Sequence, residues 1–289
     1  MNKKVISSLF AAFVAAATAS LAEAQEIPQA TGKIIYVDTT EQNKNYIASM
    51  NADGSEKQRL TPAFYNLAFP RYCKKNGLIG FTSRVPSKDK KKFDFEIYTI
   101  KKNKVIKALI GASLEDFSPD GEKLIYIKTD GNSELFVYNI KDKKAYKISG
   151  NYKVVSARWS DDNDWIAATV LTDDNTTDIV LISTKAKGFK RLTSSANVND
   201  AFPEFIDGLS VIFSSDENEE KEYQIDVMPI YMSEVRYKTN IKGVFPYMSP
   251  DKDWFTYEND GNIMIAHKTG YKTKLAKGRS PIWIESVKK

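Results

Sequence analysis

The stretch at residues 117–126, Phe-Ser-Pro-Asp-Gly-Glu-Lys-Leu-Ile-Tyr, decides the fold because degraded copies of it recur along the chain. Each copy starts with an aromatic residue or Met, passes through a short polar turn and continues as an apolar run. The starting residues, which we call anchors, are Tyr72, Phe117, Trp159, Phe205 and Met248. Successive anchors are 45, 42, 46 and 43 residues apart. A four-stranded propeller blade has a period of about 40–45 residues, so this spacing predicts a β-propeller.

The segments between the anchors are typical of strands. After the Ser-Pro-Asp-Gly turn of the clearest repeat, apolar runs occupy residues 124–127 and 135–140, and a shorter run occupies residues 146–149. Gly and Pro lie in the turns, whereas aromatic and β-branched residues lie in the runs. No stretch after residue 30 has a sustained helical apolar face. The chain is therefore predicted to be all-β, with four-stranded antiparallel blades.

The two ends of the chain each carry part of a repeat. Residues 280–283, Ser-Pro-Ile-Trp, open a repeat that then stops, whereas residues 32–37 match a second strand that has no anchor before it. The number of repeats between these ends predicts six blades, with the C-terminal strand completing the N-terminal blade. Such closure removes the open seam that an incomplete ring would expose. We expect one propeller domain over residues 32–289, preceded by a short segment at residues 25–31.

The first 24 residues have the pattern of a secretory signal peptide. A short basic start is followed by an Ala-rich apolar stretch and by Ala22-Glu23-Ala24, so cleavage is expected after Ala24. The sequence therefore predicts a periplasmic or secreted protein without a membrane span. Its single cysteine, Cys73, stands where the clearest repeat has Ser118, and a lone cysteine makes no internal disulfide.

Charge and residue content limit the classes of function. Removal of the signal peptide takes away two Lys and one Glu, so the net charge changes from +5 to +4. Lys and acidic residues are mixed along the chain, which argues against nucleic acid as a partner. The chain has one histidine, His267, at a predicted strand end, where a capping or solvated side chain is expected. We predict no metal site, no cofactor and no catalytic residues.

The repeat resembles the WD-like repeat of the TolB β-propeller family. The resemblance rests on the Ser-Pro-Asp-Gly turn, on a Pro two residues before several anchors and on strand ends such as Arg59-Leu60-Thr61, and it covers roughly residues 32–285. It implies the propeller part alone, without the additional N-terminal domain of TolB. TolB binds a peptidoglycan-associated lipoprotein and segments of outer-membrane proteins or toxins. The resemblance thus implies binding of a protein or peptide, such as an envelope lipoprotein or outer-membrane protein.

The innermost strand of each blade lines the central channel of a propeller, so the residue just before each anchor is a candidate for partner binding. These candidates are Arg71, Asp116, Arg158, Glu204 and Tyr247, with Ile282 at the sixth position. One interpretation is that the charges form salt bridges between blades and close the channel. The other is that they form a polar mouth that receives a peptide through Arg contacts and aromatic anchors.

Loops of variable length are a second candidate surface. They connect the second and third strands of blades at residues 85–93, 171–177 and 214–222, on the face opposite the Ser-Pro-Asp-Gly turns. Neutral length variation is an equally good interpretation. The sequence thus predicts a monomeric, non-catalytic scaffold that binds a protein or peptide. The alternatives are a hydrolase or lyase, or a carbohydrate-binding propeller, that uses channel carboxylates.

Overall fold

Twenty-four antiparallel strands form six sheets of four strands each, as the sequence predicts. The computed structural model describes residues 29–64, 66–86, 93–101, 104–129, 131–186 and 188–285. The predicted signal peptide and most of the loop at residues 85–93 lie outside the described residues. Within the described part, no helix is long and apolar enough to cross a bilayer.

Each sheet is one blade, and its four strands follow one another from the channel outward. Blade 1 consists of β24 (Arg279–Ile284), β1 (Lys33–Thr39), β2 (Asn45–Asn51) and β3 (Gln58–Arg59). Blade 2 consists of β4 (Leu67–Cys73), β5 (Leu78–Pro86), β6 (Phe93–Lys101) and β7 (Lys104–Ile110). Blade 3 consists of β8 (Ala112–Phe117), β9 (Lys123–Lys128), β10 (Leu135–Asn139) and β11 (Lys144–Lys147).

The other three blades follow the same order without interruption. Blade 4 consists of β12 (Lys153–Trp159), β13 (Trp165–Leu171), β14 (Thr177–Ser183) and β15 (Phe189–Arg191). Blade 5 consists of β16 (Asp200–Asp207), β17 (Ser210–Ser215), β18 (Gln224–Pro229) and β19 (Tyr237–Lys242). Blade 6 consists of β20 (Val244–Met248), β21 (Trp254–Asn259), β22 (Asn262–His267) and β23 (Lys272–Lys277).

The ring closes between the two ends of the chain. Strand β24 pairs antiparallel with β1, with Ile284 opposite Lys33, Trp283 opposite Ile34 and Ile282 opposite Ile35. The indole N–H of Trp283 also donates a hydrogen bond of 2.8 Å to the carbonyl oxygen of Thr31. The predicted completion of the N-terminal blade by the C-terminal strand is therefore confirmed.

The repeated Ser-x-Asp phrase is the turn between the first and second strands of a blade. Ser118 Oγ donates to Asp120 Oδ1 at 2.6 Å and accepts the backbone N–H of Lys123 at 2.9 Å. The same pair of bonds recurs at Ser160 and at Ser249. A hydroxyl that bridges its own turn in this way fixes the hairpin. We call the side of the ring that carries these turns the turn face, and the opposite side the loop face.

The recurring Leu/Ile-Thr/Ser strand ends close the other edge of the blade. Thr61 Oγ1 accepts the backbone N–H of Ile47 at 3.0 Å, Ser149 Oγ accepts that of Leu135 at 3.2 Å, and Thr193 Oγ1 accepts that of Ile179 at 2.9 Å. Each bond lies where the outer strand ends beside the third strand. The hydroxyl therefore satisfies a buried donor that the short outer strand leaves unpaired.

The hydrophobic core is divided into layers that lie between neighbouring blades. Because side chains alternate along a strand, β1 sends Ile34 and Tyr36 toward blade 6 and Ile35 and Val37 toward blade 2. Corresponding clusters of described residues fill each of the other blade contacts. Every blade is thus stabilised by a core layer on each side, so the stability of each blade depends on both of its neighbours.

Gly243 directly precedes β20 and has a backbone conformation that a residue with a Cβ rarely adopts. Its replacement by alanine is expected to lower the free energy of unfolding by about 1–3 kcal/mol. Its φ is 152°, and a Cβ there would lie 2.6 Å from a ring carbon of Tyr257 and 2.7 Å from the carbonyl oxygen of Glu258. Urea unfolding measures the effect. Gly188→Ala is the matched control, because a Cβ at Gly188 meets no atom within 4 Å. Equal stabilities of the two variants would contradict this role of Gly243.

Candidate functional site

The five predicted channel residues form one cluster around the axis of the ring. Their side chains lie close enough to interact, since after burial Glu204, Asp116, Arg158 and Arg71 all affect the pKa of the Tyr247 hydroxyl. All five lie in the second half of their inner strands, nearer the turn face. The sixth position, Ile282, is buried in the layer between blades 1 and 2.

Backbone carbonyls hold both arginines of this cluster, and a carboxylate also holds Arg158. Arg71 is 3% exposed and donates hydrogen bonds to the carbonyl oxygens of Pro70 and Glu115. Arg158 donates to the carbonyl oxygens of Glu115 and Ala157 at 3.0 and 2.9 Å. Its Nε lies 3.3 Å from Glu204 Oε2. Blades 2, 3, 4 and 5 are therefore linked around the channel by these two side chains.

Asp116 and Glu115 join blade 3 to blade 4. Asp116 Oδ2 accepts the backbone N–H of Trp159 at 2.9 Å, and Glu115 Oε2 accepts that of Ala157 at 3.3 Å. Glu115 occupies the place that Pro70, Pro203 and Pro246 have in other repeats. It is not among the candidates predicted from the sequence, although a carboxylate at a position where four other repeats have proline is a signal that the sequence contains.

Burial dominates the ionisation of the cluster. It raises the pKa of Glu115 and of Glu204 to about 7, against the opposing effect of Arg158 on both. Burial also raises the pKa of Asp116, raises that of Tyr247 well above its ordinary value and lowers that of Arg71 to about 10. Each group is thus shifted toward its neutral form, as expected for charges removed from water.

Three phenylalanines that are not among the predicted site residues meet over the axis on the loop-face side. Phe69, Phe202 and Phe245 each precede the proline of an inner strand, and their φ values are 53°, 56° and 55°. The Phe245 ring centre lies 4.2 Å from that of Phe202 and 5.6 Å from that of Phe69. Blades 2 and 6 are not neighbours, so the contact between Phe69 and Phe245 spans the channel. The Phe-Pro pair occurs three times in the sequence, and this recurrence is the signal by which the three residues could have been found.

An ion-pair group spans the turn-face end of the channel. Asp161 of blade 4 lies 2.6 Å from Lys74 Nζ of blade 2 and 3.3 Å from Lys252 Nζ of blade 6. Burial favours the neutral form of Asp161, but the two ammonium groups outweigh it and lower the pKa of this carboxyl. The channel therefore has charged residues across its turn-face end, a polar layer in the middle and aromatic rings toward the loop face.

The predicted variable loops are only partly described. The loop of blade 5, within residues 214–222, is tied down, because Asp216 Oδ1 accepts the backbone N–H of Asn199 at 2.7 Å. Nearby, Arg236 binds Asp200 and Asp226 with N–O distances of 2.6 and 2.7 Å. These contacts tie the loop of blade 5 and the segment before its outer strand to the inner strand of the same blade.

His267 and Cys73 are both buried in the fold. His267 is buried against the Trp254 ring and accepts the backbone N–H of Thr269 at 3.2 Å, so it caps its turn rather than lying in solvent. Burial raises the pKa of the Cys73 thiol, which lies in the layer between blades 2 and 3. Among the described residues, no group of three His, Cys, Asp or Glu side chains could hold a metal ion.

The buried carboxylate of Glu204 gives a pH prediction with a defined sign. The folded state holds its proton up to a pKa of about 7, whereas the unfolded state releases it near the ordinary value of 4.5. The folded state thus binds more protons between these values, so the contribution of Glu204 to stability falls as the pH rises. Loss of the partner of Arg158 destabilises Glu204→Gln by an amount that does not depend on the ionisation of Glu204. As the pH rises from about 5 to about 8, the difference in free energy of unfolding between variant and wild type is expected to shift by about 1–3 kcal/mol in favour of the variant.

Urea unfolding at several pH values measures this shift. Glu122→Gln, at an exposed turn position, controls for the substitution itself. A difference between wild type and Glu204→Gln that stays constant over the whole range would contradict the assignment of a raised pKa to Glu204.

Comparisons with known proteins agree with the geometry. No protein-family model and no curated protein matches the sequence. Among solved structures, TolB from Acinetobacter baumannii aligns with a TM-score of 0.75 and 17% identity, over 90% of this chain and 68% of its own. A protein described as TolB from Agrobacterium tumefaciens aligns with a TM-score of 0.64 and 14% identity, over 87% of this chain and 92% of its own.

A prolyl endopeptidase aligns less well, with a TM-score of 0.52 and 12% identity, over 88% of this chain and 49% of its own. At these identities the likeness concerns the fold. The strand order, the closure by β24 and the two TolB alignments lead to one conclusion. The chain has the six-bladed fold of the TolB propeller.

Proposed function

We propose that this chain is an exported, non-catalytic scaffold that binds a protein or peptide partner in the cell envelope through the loop-face mouth of its channel. The signal-peptide pattern of residues 1–24 supports export. The likeness to TolB structures supports a propeller that serves as a scaffold. The proposed site consists of Phe69, Phe202 and Phe245, with the polar layer of the channel beneath them.

The observation that carries this proposal is the backbone conformation of the three phenylalanines. A bulky residue rarely adopts a positive φ, and each instance costs about 1–3 kcal/mol. In this chain the conformation recurs before the proline of four inner strands, at Ser280 of blade 1 as well as at the three phenylalanines. In blades 2, 5 and 6 it places three half-buried rings together over the axis. Strain repeated at one surface is typical of a binding site, where the rest of the fold holds the strained residues in place.

The arrangement suits an extended segment that inserts an apolar side chain. Rigid aromatic rings offer contact area at little cost in conformational entropy, which is why they are frequent in binding hot spots. The polar layer of Arg71, Arg158 and Glu204 forms a floor below the rings. A bound segment would thus rest on the charged layer and would not pass through the channel.

The pairing of the channel carboxylates supports binding over hydrolysis. Glu204 faces Arg158, while Asp116 and Glu115 accept backbone N–H groups of blade 4. A hydrolase or lyase of this type needs a carboxylate free to transfer a proton or attack a substrate. The bonds of these side chains are instead used to join blades.

Capture from an envelope extract tests the proposal. The purified chain is immobilised, bound proteins are identified by mass spectrometry, and the amounts are compared with those retained by Phe202→Ala/Phe245→Ala. We expect one or a few proteins to be retained by wild type and reduced at least about tenfold by the double variant, because aromatic anchors dominate such interfaces. Ile140→Ser, on the turn face, is the matched control. Equal capture by all three chains would refute a site at the loop-face mouth.

Export is tested separately by cell fractionation and N-terminal analysis. The expected product is found outside the cytoplasm and begins at Gln25. A chain that stays in the cytoplasm with residues 1–24 intact would refute export but would leave the binding site untouched.

A further inference from the structure

Exposed apolar side chains are concentrated on one side of the ring. Of the eight large hydrophobic residues exposed in the described part of the chain, six lie on or beside turns of the turn face in blades 3, 4 and 5. Five of them lie at the outer turns between third and fourth strands, and Leu209 lies in the turn between the first and second strands of blade 5. Their exposed fractions range from 39% to 63%. The six, which we call the rim patch, are Ile140, Tyr146, Phe189, Leu209, Tyr231 and Met232.

The rim patch is continuous from blade to blade. A groove of about 440 Å³ between β11 and β15 is lined by Tyr146 on one side and Phe189 on the other. Lys190, the neighbour of Phe189, donates a hydrogen bond of 2.6 Å to the carbonyl oxygen of Ile230, and its Nζ lies 5.8 Å from the Tyr231 ring centre. The apolar surface thus runs along three consecutive blades.

Lysines accompany the apolar residues. Lys141, Lys143 and Lys144 flank a single carboxylate, Asp142, in the exposed turn next to Ile140, and Lys190 borders Tyr231. Lys185 borders the groove but is paired with Asp164 at 2.5 Å, so the excess of positive charge rests on the turn lysines and Lys190. In the described part of the structure, the three lysines of this turn make no ion pair with a carboxylate. The rim patch therefore combines apolar tips with an excess of positive charge, which is complementary to a negatively charged surface.

The corresponding turns of other blades lack this combination. The outer turn of blade 1, at residues 53–57, reads Asp-Gly-Ser-Glu-Lys, and that of blade 6, at residues 268–270, reads Lys-Thr-Gly. Among the outer turns whose side chains the structure describes, the apolar residues are thus confined to three adjacent blades. Apolar side chains that project from several turns on one face can all contact a flat surface at once. A single peptide would contact only those that line the groove between β11 and β15.

We propose that the rim patch docks this propeller onto a bilayer surface that carries anionic lipid headgroups. Ile140, Leu209 and Met232 would enter the headgroup boundary, Tyr146, Phe189 and Tyr231 would lie at its level, and the lysines would contact lipid phosphates. Such binding combines buried apolar area with electrostatic attraction and is reversible. Docking through the turn face leaves the loop-face mouth of the channel open to solution.

Vesicle flotation with the purified chain tests this proposal. Vesicles of phosphatidylcholine alone are compared with vesicles that contain about one third phosphatidylglycerol. We expect binding to the anionic vesicles that falls at least about tenfold when the salt concentration rises from about 0.1 to 0.5 M, because salt screens the lysines. Neutral vesicles should bind little.

Two variants separate the apolar from the charged contribution. Ile140→Ser/Tyr231→Ser/Met232→Ser and Lys141→Glu/Lys143→Glu/Lys144→Glu are each expected to reduce binding to anionic vesicles at least about tenfold. Val155→Ser/Leu171→Ser, which changes the two exposed apolar residues of the loop face, is the matched control and should bind as wild type does. Circular dichroism and thermal unfolding establish that each variant is folded.

Three outcomes would overturn the proposal. The first is no binding of wild type to anionic vesicles, and the second is binding that survives both rim-patch variants. The third is self-association in sedimentation experiments without lipid that the serine variant abolishes, because the rim patch would then bind a second copy of the chain. Both rim-patch variants should leave partner capture at the loop face unchanged, so this test and that of the proposed function can fail independently.

Discussion

Replacement of Arg158 by methionine is expected to lower the free energy of unfolding by about 3–5 kcal/mol, because removing one member of a buried ion pair leaves the other uncompensated. The Glu204 carboxylate would lose its cation, and the carbonyls of Glu115 and Ala157 would lose a donor. The pKa of Glu204 should rise further, since Arg158 opposes the effect of burial on it. Urea or guanidinium unfolding near neutral pH measures the loss.

Two matched variants test the cause. Arg158→Met/Glu204→Gln should recover part of the loss, because no buried charge then remains without its partner. Lys147→Met, which removes the cation of the exposed pair with Glu134, should cost less than about 1 kcal/mol. Equal losses in the free energy of unfolding for Arg158→Met and Lys147→Met would contradict a buried ion pair at Arg158.

Truncation after Gly278 is expected to abolish cooperative folding. The removed strand β24 contributes Ile282, Trp283 and Ile284, which are at most 5% exposed. Burial of each such side chain is worth about 1.5–3 kcal/mol, so their loss approaches the whole stability of about 5–15 kcal/mol of an ordinary domain. Differential scanning calorimetry should show no sharp transition, and β1 would be left with an unpaired edge.

Addition of the missing strand provides the control. A synthetic peptide with the sequence of residues 279–285 should restore a cooperative transition to the truncated chain, because antiparallel pairing with β1 does not require a covalent connection. A scrambled peptide should not. A truncated chain that unfolds like wild type without any peptide would show that the ring does not depend on β24.

The fold could be predicted because its determinants repeat. Phe117 and its relatives bury one aromatic or Met side chain per blade in the layers between blades, so their spacing measures the length of a blade. The turn serine has the same hydrogen bonds in three blades, which explains why Ser-x-Asp survives where other positions vary. The same spacing shows that the repeats at the two ends of the chain are each incomplete, which predicts that they form one blade together.

The contacts around the channel were harder to predict because they join side chains of different blades, some of them not neighbours. A repeat alignment places Arg71 and Arg158 at equivalent positions, but it does not show that both donate to the carbonyl of Glu115. Nor does it show that Lys74, Asp161 and Lys252 meet across alternate blades. Such pairs depend on the radius of the ring and on side-chain length, which a linear pattern does not encode.

The meeting of the three phenylalanines at the loop-face mouth could not be predicted for a different reason. Phe69, Phe202 and Phe245 precede prolines, and a residue before proline is normally assigned to extended backbone. Their positive φ turns the rings toward the axis, and only the folded ring shows that they meet there. The recurring Phe-Pro pair was visible, but its consequence follows from the bulge of each inner strand.

Site-specific photo-crosslinking from position 245 in intact cells tests whether a partner binds at the loop-face mouth of the channel. A photoreactive phenylalanine analogue at Phe245 keeps an aromatic ring at the loop-face mouth, and the same analogue at Ile140 serves as the turn-face comparison. We predict a discrete adduct with an envelope protein from position 245 and no such adduct from position 140. A folded, exported chain that gives no protein adduct from position 245, or gives the same adduct from both positions, would contradict a partner site at the channel mouth.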